Sequence, residues 1–309
     1  CNLNTVWIWY SGCTLKAQNC SYYISFCEGD FIPVNGAYYK ELQLLSSSSS
    51  SSAHPVYKLS THLNNNCKIS VDILKLMRFR TTDLSFLDYI TFSGDSKRLY
   101  LSGDGYGNYG ANISGVDFGT KQYTQVTDFI YDYGDTTDLS FLSAFPNLLS
   151  FSAYRCQYLT SLSGIQNCSS LTTLKVTQSI VNNINNISGL TGITTLDLNN
   201  NKIENISALA NLVNVSSLTL HTNSIKDLSP ILAMKGTKAK LNFSSLDLHD
   251  CSILASTSGG VDNIENIRQL HAAGITNLNI KGNTVLTEAK NEDGKLLYIP
   301  QIQAIFNNT

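Results

Sequence analysis

The stretch Ile193-Thr-Thr-Leu196-Asp-Leu198-Asn-Asn-Asn201-Lys-Ile203-Glu-Asn-Ile206-Ser-Ala-Leu209-Ala-Asn-Leu212 decides the reading of this chain. Leu196 and Leu198 flank Asp197, the period-two pattern of a short strand with one buried face. After Asn201 the apolar residues Ile203, Ile206, Leu209 and Leu212 recur at every third position, the period of a 3₁₀-like or extended return segment. The pattern then repeats. The triplets Leu174-Lys-Val176, Leu196-Asp-Leu198 and Leu218-Thr-Leu220 start 22 residues apart. Phe151-Ser-Ala153 lies 23 residues earlier, and Phe129-Ile-Tyr131 a further 22. Leu246-Asp-Leu248 follows after 28 residues and Leu278-Asn-Ile280 after 32, so two units carry insertions. Thr81-Thr-Asp-Leu-Ser-Phe-Leu87 returns unchanged as Thr136-Thr-Asp-Leu-Ser-Phe-Leu142, which places two worn units near Leu74 and Leu99. One such unit cannot bury its apolar side alone, but stacked units share a continuous core.

The L-x-x-L-x-L-x-x-N-x-I order of the quoted unit resembles leucine-rich repeat proteins. Its 22-residue length, with I-x-x-I-x-x-L-x-x-L after the asparagine, is similar to bacterial internalin-type repeats over roughly residues 125–285. The resemblance implies an α/β solenoid, a leucine-rich repeat horseshoe with a parallel β-sheet on the concave face and 3₁₀ or extended convex segments. It also implies a non-catalytic binding role outside the cell, in adhesion or recognition of a host protein. Asn201, Asn223 and Asn283 fall five residues after a strand leucine, where a buried amide satisfies turn backbone groups of neighbouring coils. Cys156, Ser179 and Cys251 take that place elsewhere. Cys168 stands at the apolar position of Leu190 and Leu212, so Cys156, Cys168 and Cys251 read as buried free thiols packing as small hydrophobes.

The ends differ. Residues 1–45 form a cysteine- and aromatic-rich N-terminal module without a repeat, and fifteen of the sixteen tyrosines precede residue 160. Ser46 to Ser52 is an unbroken serine run, too polar to pack, so 46–55 reads as a linker or loop. The solenoid then spans 56–285, with a short helix near 262–273, and 286–309 is a C-terminal cap in which Leu296 to Ile302 covers the last coil. Cys1, Cys13, Cys20, Cys27 and Cys67 crowd the first part of the chain without the paired spacing of a zinc ribbon. A disulfide-stapled cap follows, in an oxidising compartment. Five is odd. A lipid-modified Cys1, as in a bacterial lipoprotein, leaves Cys13, Cys20, Cys27 and Cys67 for two bridges.

Composition narrows the function. Only 14% of residues are charged and the formal net charge is -2, which leaves no electrostatic footprint for nucleic acid. No apolar run reaches the ~18 residues of a membrane span. Serine (37), asparagine (31) and threonine (26) replace much of the usual surface charge, as suits an extracellular or cell-surface protein. Eight N-x-S/T sequons occur, no more than this composition gives by chance, so a glycoprotein is allowed but not argued. Gly103 to Gly110 lacks the lysine of a phosphate loop and the spaced carboxylates of a calcium loop. No nucleophile elbow, H-E-x-x-H or dinucleotide fingerprint appears, so neither an enzyme nor a cofactor is expected.

A binding surface is expected where strand side chains point away from the core. The candidates are Asp132, Tyr154, Lys175, Asp197, Asn199, His221, Asp247 and His249. His221 and His249 fall next to each other in one column with Asp247 nearby, an arrangement open to metal or pH chemistry, although two solvated surface histidines is the plainer reading. The expected partner is a protein or a glycan at the cell surface. Two alternatives stand beside this: self-assembly into a filament or layer, with the aromatic peptide Asn2 to Tyr10 adding as a strand to a neighbour or serving as a strand of the cap, and polysaccharide binding by a surface lipoprotein.

Overall fold

The computed structural model describes residues 33–45, 62–77, 84–103, 113–256 and 260–307, together with the strands at 6–8 and 23–27. Of 6–8, 23–27 and 44–45 only the backbone is described. The serine run and Cys1, Cys13 and Cys20 fall outside the described residues, as does most of the glycine-rich stretch. The chain divides into two compact units, residues 1–137 with 141–158, and residues 138–140 with 159–309.

Among the described residues of the first unit eight strands form: β1 (Val6–Ile8), β2 (Tyr23–Cys27), β3 (Tyr38–Leu45), β4 (Ile69–Met77), β5 (Ile90–Phe92), β6 (Arg98–Ser102), β7 (Asp128–Asp132) and β8 (Ser150–Tyr154). They pair in the order β1-β2-β3-β4-β6-β7-β8, all parallel, and β5 joins the beginning of β4. Register places Leu42, Leu74, Leu99, Phe129 and Phe151 side by side, each fully buried. The worn units at Leu74 and Leu99 are therefore genuine coils. The N-terminal region differs from its sequence reading: β1 to β3 continue the same parallel ladder rather than forming a module of another kind. Val6–Ile8 is a strand within the chain's own sheet.

The second unit adds β9 (Thr173–Thr177), β10 (Thr195–Asp197), β11 (Ser217–Thr219), β12 (Ser245–Asp247) and β13 (Asn277–Asn279), again parallel and in chain order. Leu174, Leu196 and Leu218 are in register, as are Leu246 and Leu278. After β8, β9 and β10 the chain returns through short 3₁₀ turns, Ile165–Asn167, Asn185–Ile187 and Ser207–Asn211. Ile203, Ile206, Leu209 and Leu212 are all buried, which is why every third residue is apolar. The two insertions hold helices α1 (Ser229–Ala233) and α2 (Asn263–Ala272). Asp262 caps α2 by accepting from the amides of Ile264 and Glu265, both at 3.0 Å. This is the architecture of a leucine-rich repeat solenoid.

The asparagine ladder does what the spacing requires. Asn223 accepts from the Ile203 amide at 3.0 Å and donates to the carbonyls of Leu198 at 3.0 Å and Leu220 at 2.8 Å. Asn201 and Asn283 make the same kind of bonds one coil before and two coils after. Where cysteine takes the place, the thiol keeps the donor: Cys251 Sγ reaches the Leu220 carbonyl at 3.3 Å, and Cys156 Sγ that of Tyr131 at 3.2 Å. Burial pushes both thiols up, Cys156 to about 12 and Cys251 to about 11, and Cys168 likewise to about 12. Gly134 is needed beside Cys156, because a Cβ there would lie 1.9 Å from the buried Tyr131 ring.

At the N-terminal end Cys67 Sγ lies 3.5 Å from the Pro33 carbonyl, while the side chains of the other bridge candidates, Cys13, Cys20 and Cys27, fall outside the described residues; at the C-terminal end one expectation is corrected. The C-terminal tail buries its apolar residues through helix α4 (Ile299–Asn307), which follows the short α3 (Thr284–Thr287). Ile302 and Ile305 are the buried residues of α4, whereas Leu296 and Leu297 are more than one-third exposed. A nine-residue helix aligns Ile302 with Ile305 on one face, and the segment before it has no such face.

Candidate functional site

Alternate strand residues point outward and form one face on each unit. In the first unit, register builds three outward columns across β4, β6, β7 and β8: Ile73, Arg98, Asp128 and Ser150; Lys75, Tyr100, Ile130 and Ser152; Met77, Ser102, Asp132 and Tyr154. Cross-strand bonds fix several of these side chains. Lys75 Nζ donates to Glu41 at 2.8 Å, the Arg98 guanidinium is 2.6 Å from Asp128, and the Tyr100 hydroxyl donates to Asp132 Oδ2 at 2.9 Å. Burial pushes the Asp132 carboxyl up to about 6, against the lowering effect of the Tyr100 hydroxyl. Burial and the Asp132 charge together raise the Tyr100 phenol to about 12.

Beyond the strand ends, Tyr154 meets Tyr133 edge to face at 5.7 Å, and the Arg155 guanidinium lies 5.2 Å from the Tyr154 ring centroid. Tyr133 and Arg155 both have φ near +54°, as do Gln178, Asn200, Thr222 and Asp250 in later coils. The coils of β7 to β12 thus leave their strands through a left-handed residue at the same place in the repeat. That conformation is not legible from residue type, since tyrosine, arginine and threonine are not residues that favour it.

In the second unit, Lys175, Asp197, Thr219, Asp247 and Asn279 form one column, and Thr177, Asn199, His221, His249 and Lys281 the next. Asn199 donates to Asp197 Oδ1 at 2.7 Å, and Asn279 donates to Asp247 Oδ1 at 3.0 Å. Lys175 stands opposite Asp197 in register but is exposed, and Asp197 is engaged by Asn199 instead. The rings of His221 and His249 stack with centroids 4.1 Å apart and planes inclined by 16°. His249 Nδ1–H donates to Asp247 Oδ1 at 2.8 Å, and His221 Nδ1 is hydrogen-bonded to Thr222 Oγ1 at 3.1 Å. Partial burial works to raise the Asp247 carboxyl, but the His249 ring and backbone amide outweigh it and hold it below the usual range.

Of the eight sequence candidates, Asp132 and Tyr154 belong to the first unit and the other six to the second. The structure brings His221, His249 and Asp247 into contact, and Asp197 with Asn199. Sequence reading missed Tyr100, Tyr133, Arg155, Thr222 and Asp250. Tyr100 was within reach, because placing Leu99 in a strand turns residue 100 outward; the other four sit in turns that the repeat does not mark. Among the described residues no group of three or more His, Cys, Asp or Glu side chains is arranged around a metal position, and no helix is long and apolar enough to cross a membrane.

No protein-family model matches the chain, and no curated protein matches it. Among solved structures it is similar to internalin C2 of Listeria monocytogenes, at 24% identity over 63% of this chain and 75% of that one, with a TM-score of 0.43. It is also similar to an internalin of the same organism, InlF, at 14% identity over 78% of this chain and 80% of that one, with a TM-score of 0.38.

Proposed function

We propose that this chain is a non-catalytic binding protein of the cell surface or extracellular space, which recognises a protein partner through the outward strand faces. The observation that carries this reading is the state of those faces. Their side chains are tied across strands by Lys75–Glu41, Arg98–Asp128, Tyr100–Asp132 and Asn279–Asp247, and within one coil by Asn199–Asp197, on a backbone anchored by the asparagine ladder. Rigid, pre-positioned polar and aromatic groups avoid the ordering cost of about 0.5–1.5 kcal/mol for each side chain immobilised on binding. Tyr154 with Arg155, and the Asp197–Asp247 column, combine the aromatic, arginine and charged groups on which interfaces concentrate their energy.

The test is binding of the purified, labelled chain to a panel of intact bacterial and eukaryotic cells. Y154A/R155A and K175A/D197A/D247A should each lower saturable binding at least tenfold. E204Q/K226Q, which removes an exposed ion pair on a return segment, should leave it unchanged. Equal binding by wild type and both face variants would remove this reading.

A further inference from the structure

On the outward face of the first unit two carboxylates are matched by cations of the next strand. Glu41 accepts from Lys75 at 2.8 Å, and Asp128 lies 2.6 Å from the Arg98 guanidinium. Asp132 breaks the pattern. It stands four residues beyond Asp128 on β7, half-buried, and among the described residues no basic side chain forms an ion pair with it. The adjoining stretch 104–112 contains no lysine or arginine that could do so. Its bonds come from neutral donors, the Tyr100 hydroxyl at 2.9 Å and the Tyr154 backbone. A carboxylate drawn out of water without a counter-charge is left costly by such bonds, and burial raises Asp132 to about 6 accordingly. At neutral pH it is still mostly ionised, so the face carries an uncompensated negative charge. The groups around it suit a flat cation. Tyr154 lies opposite Asp132 in register on β8, Tyr133 follows it in the chain, and the two rings meet edge to face at 5.7 Å. Arg155 already places its guanidinium 5.2 Å from the Tyr154 ring centroid, on that ring rather than on Asp132.

We infer that Asp132 receives an arginine side chain of the protein partner, whose guanidinium pairs with the carboxylate beside the Tyr133 and Tyr154 rings. The partner thereby supplies to Asp132 what Lys75 and Arg98 supply to Glu41 and Asp128. Arginine fits better than lysine because its guanidinium is planar, weakly hydrated and able to lie against aromatic rings while it holds a carboxylate. Tyr100 is the positioning residue, since its hydroxyl fixes the carboxylate from the side of β6. This inference rests on the protein-recognition reading and names the chemistry of one contact in it.

The experiment titrates Nα-acetyl-arginine amide into the full chain through the millimolar range at neutral pH. NMR follows the Asp132 carboxyl carbon and the ring protons of Tyr133 and Tyr154. All three should shift with one saturation curve, and Nα-acetyl-citrulline amide, the neutral isostere, should shift none of them. D132N should weaken the arginine probe about tenfold or more, as when one member of a desolvated charge pair is lost. D95N, which removes an exposed carboxylate of the same unit, should leave the curve unchanged. The citrulline comparison is made on the wild type, so it decides even if D132N misfolds. Equal shifts from the two amides, equal affinity in wild type and D132N, or no saturable shift would each overturn the inference. A failed titration beside cell binding that still depends on Tyr154 and Arg155 strikes this contact alone, whereas cell binding indifferent to the face variants strikes the recognition reading itself.

Discussion

Asp132 is placed where its charge is expensive. It lies on the outward face of β7 in contact with the Tyr100 hydroxyl, and burial pushes its carboxyl up to about 6. The unfolded chain titrates an aspartate near ~3.9. Folding therefore favours the protonated form, and the contribution of this residue to stability is fully present below about pH 4 and lost as pH rises through about 6. Asp132→Asn holds the neutral state at every pH. Urea midpoints measured from pH 4 to 7.5 should show wild type losing stability relative to D132N up to about pH 6, with a constant gap above that. A gap that is flat, or that opens toward acid, would place the carboxylate in a solvated setting. Asp247 behaves in the opposite sense, since its bonds from His249 favour the ionised form. The two acidic residues thus differ because burial of Asp132 outweighs the bond from the Tyr100 hydroxyl, whereas the bonds from His249 outweigh the partial burial of Asp247.

At the scale of the coil, the ladder asparagine decides whether one unit holds the next. Asn223→Ala removes an acceptor from the Ile203 amide and a donor from the Leu198 and Leu220 carbonyls, all in a site with no room for bulk water. Each buried group left unmade costs about 1–3 kcal/mol, so N223A should lower unfolding free energy by about 2–5 kcal/mol in urea titration. An unchanged midpoint would mean that the leucines alone hold the stack. The ladder, the strands from Leu74 to Leu278 and helix α2 were legible because each is fixed by a local rule: period two, period three, an interval of 22, or an aspartate before a helix. Strands β1 to β3 were not, since they carry neither the interval nor the asparagine. The turn pair Tyr133 and Arg155 was hidden for another reason: left-handed turn geometry is imposed by the coil and leaves no signature in residue type. Of the site, the column order of His221, His249 and Asp247 follows from register, whereas the hydrogen bonds that orient the rings depend on side-chain conformations that no spacing encodes.

Taken as a whole, the chain replaces charge with amides and hydroxyls because so many of its positions bond backbone rather than water. Asparagine fills the ladder, Asp227 and Asn205 accept from amides two residues on, and Thr194 donates to the Thr172 carbonyl of the previous coil. A molecule stabilised coil against coil has exposed core at any end left uncovered. In the second unit, α4 stands over β13, where Leu278 and Ile280 share a cavity of about 340 Å³ with Ile299, Ile302 and Phe306. The Phe306 ring also lies 4.6 Å from His271 of α2, so the helix closes both the strand and its neighbour. Removing residues 296–309 would open Ile280, which is now 8% exposed, together with the facing side of α2. The truncated chain should lose its sharp thermal transition and enter larger species in light scattering at concentrations where the full chain gives a single mass. A truncated chain that stays monodisperse with the same transition would show that the stack closes itself at β13, and that α4 is an ornament on it.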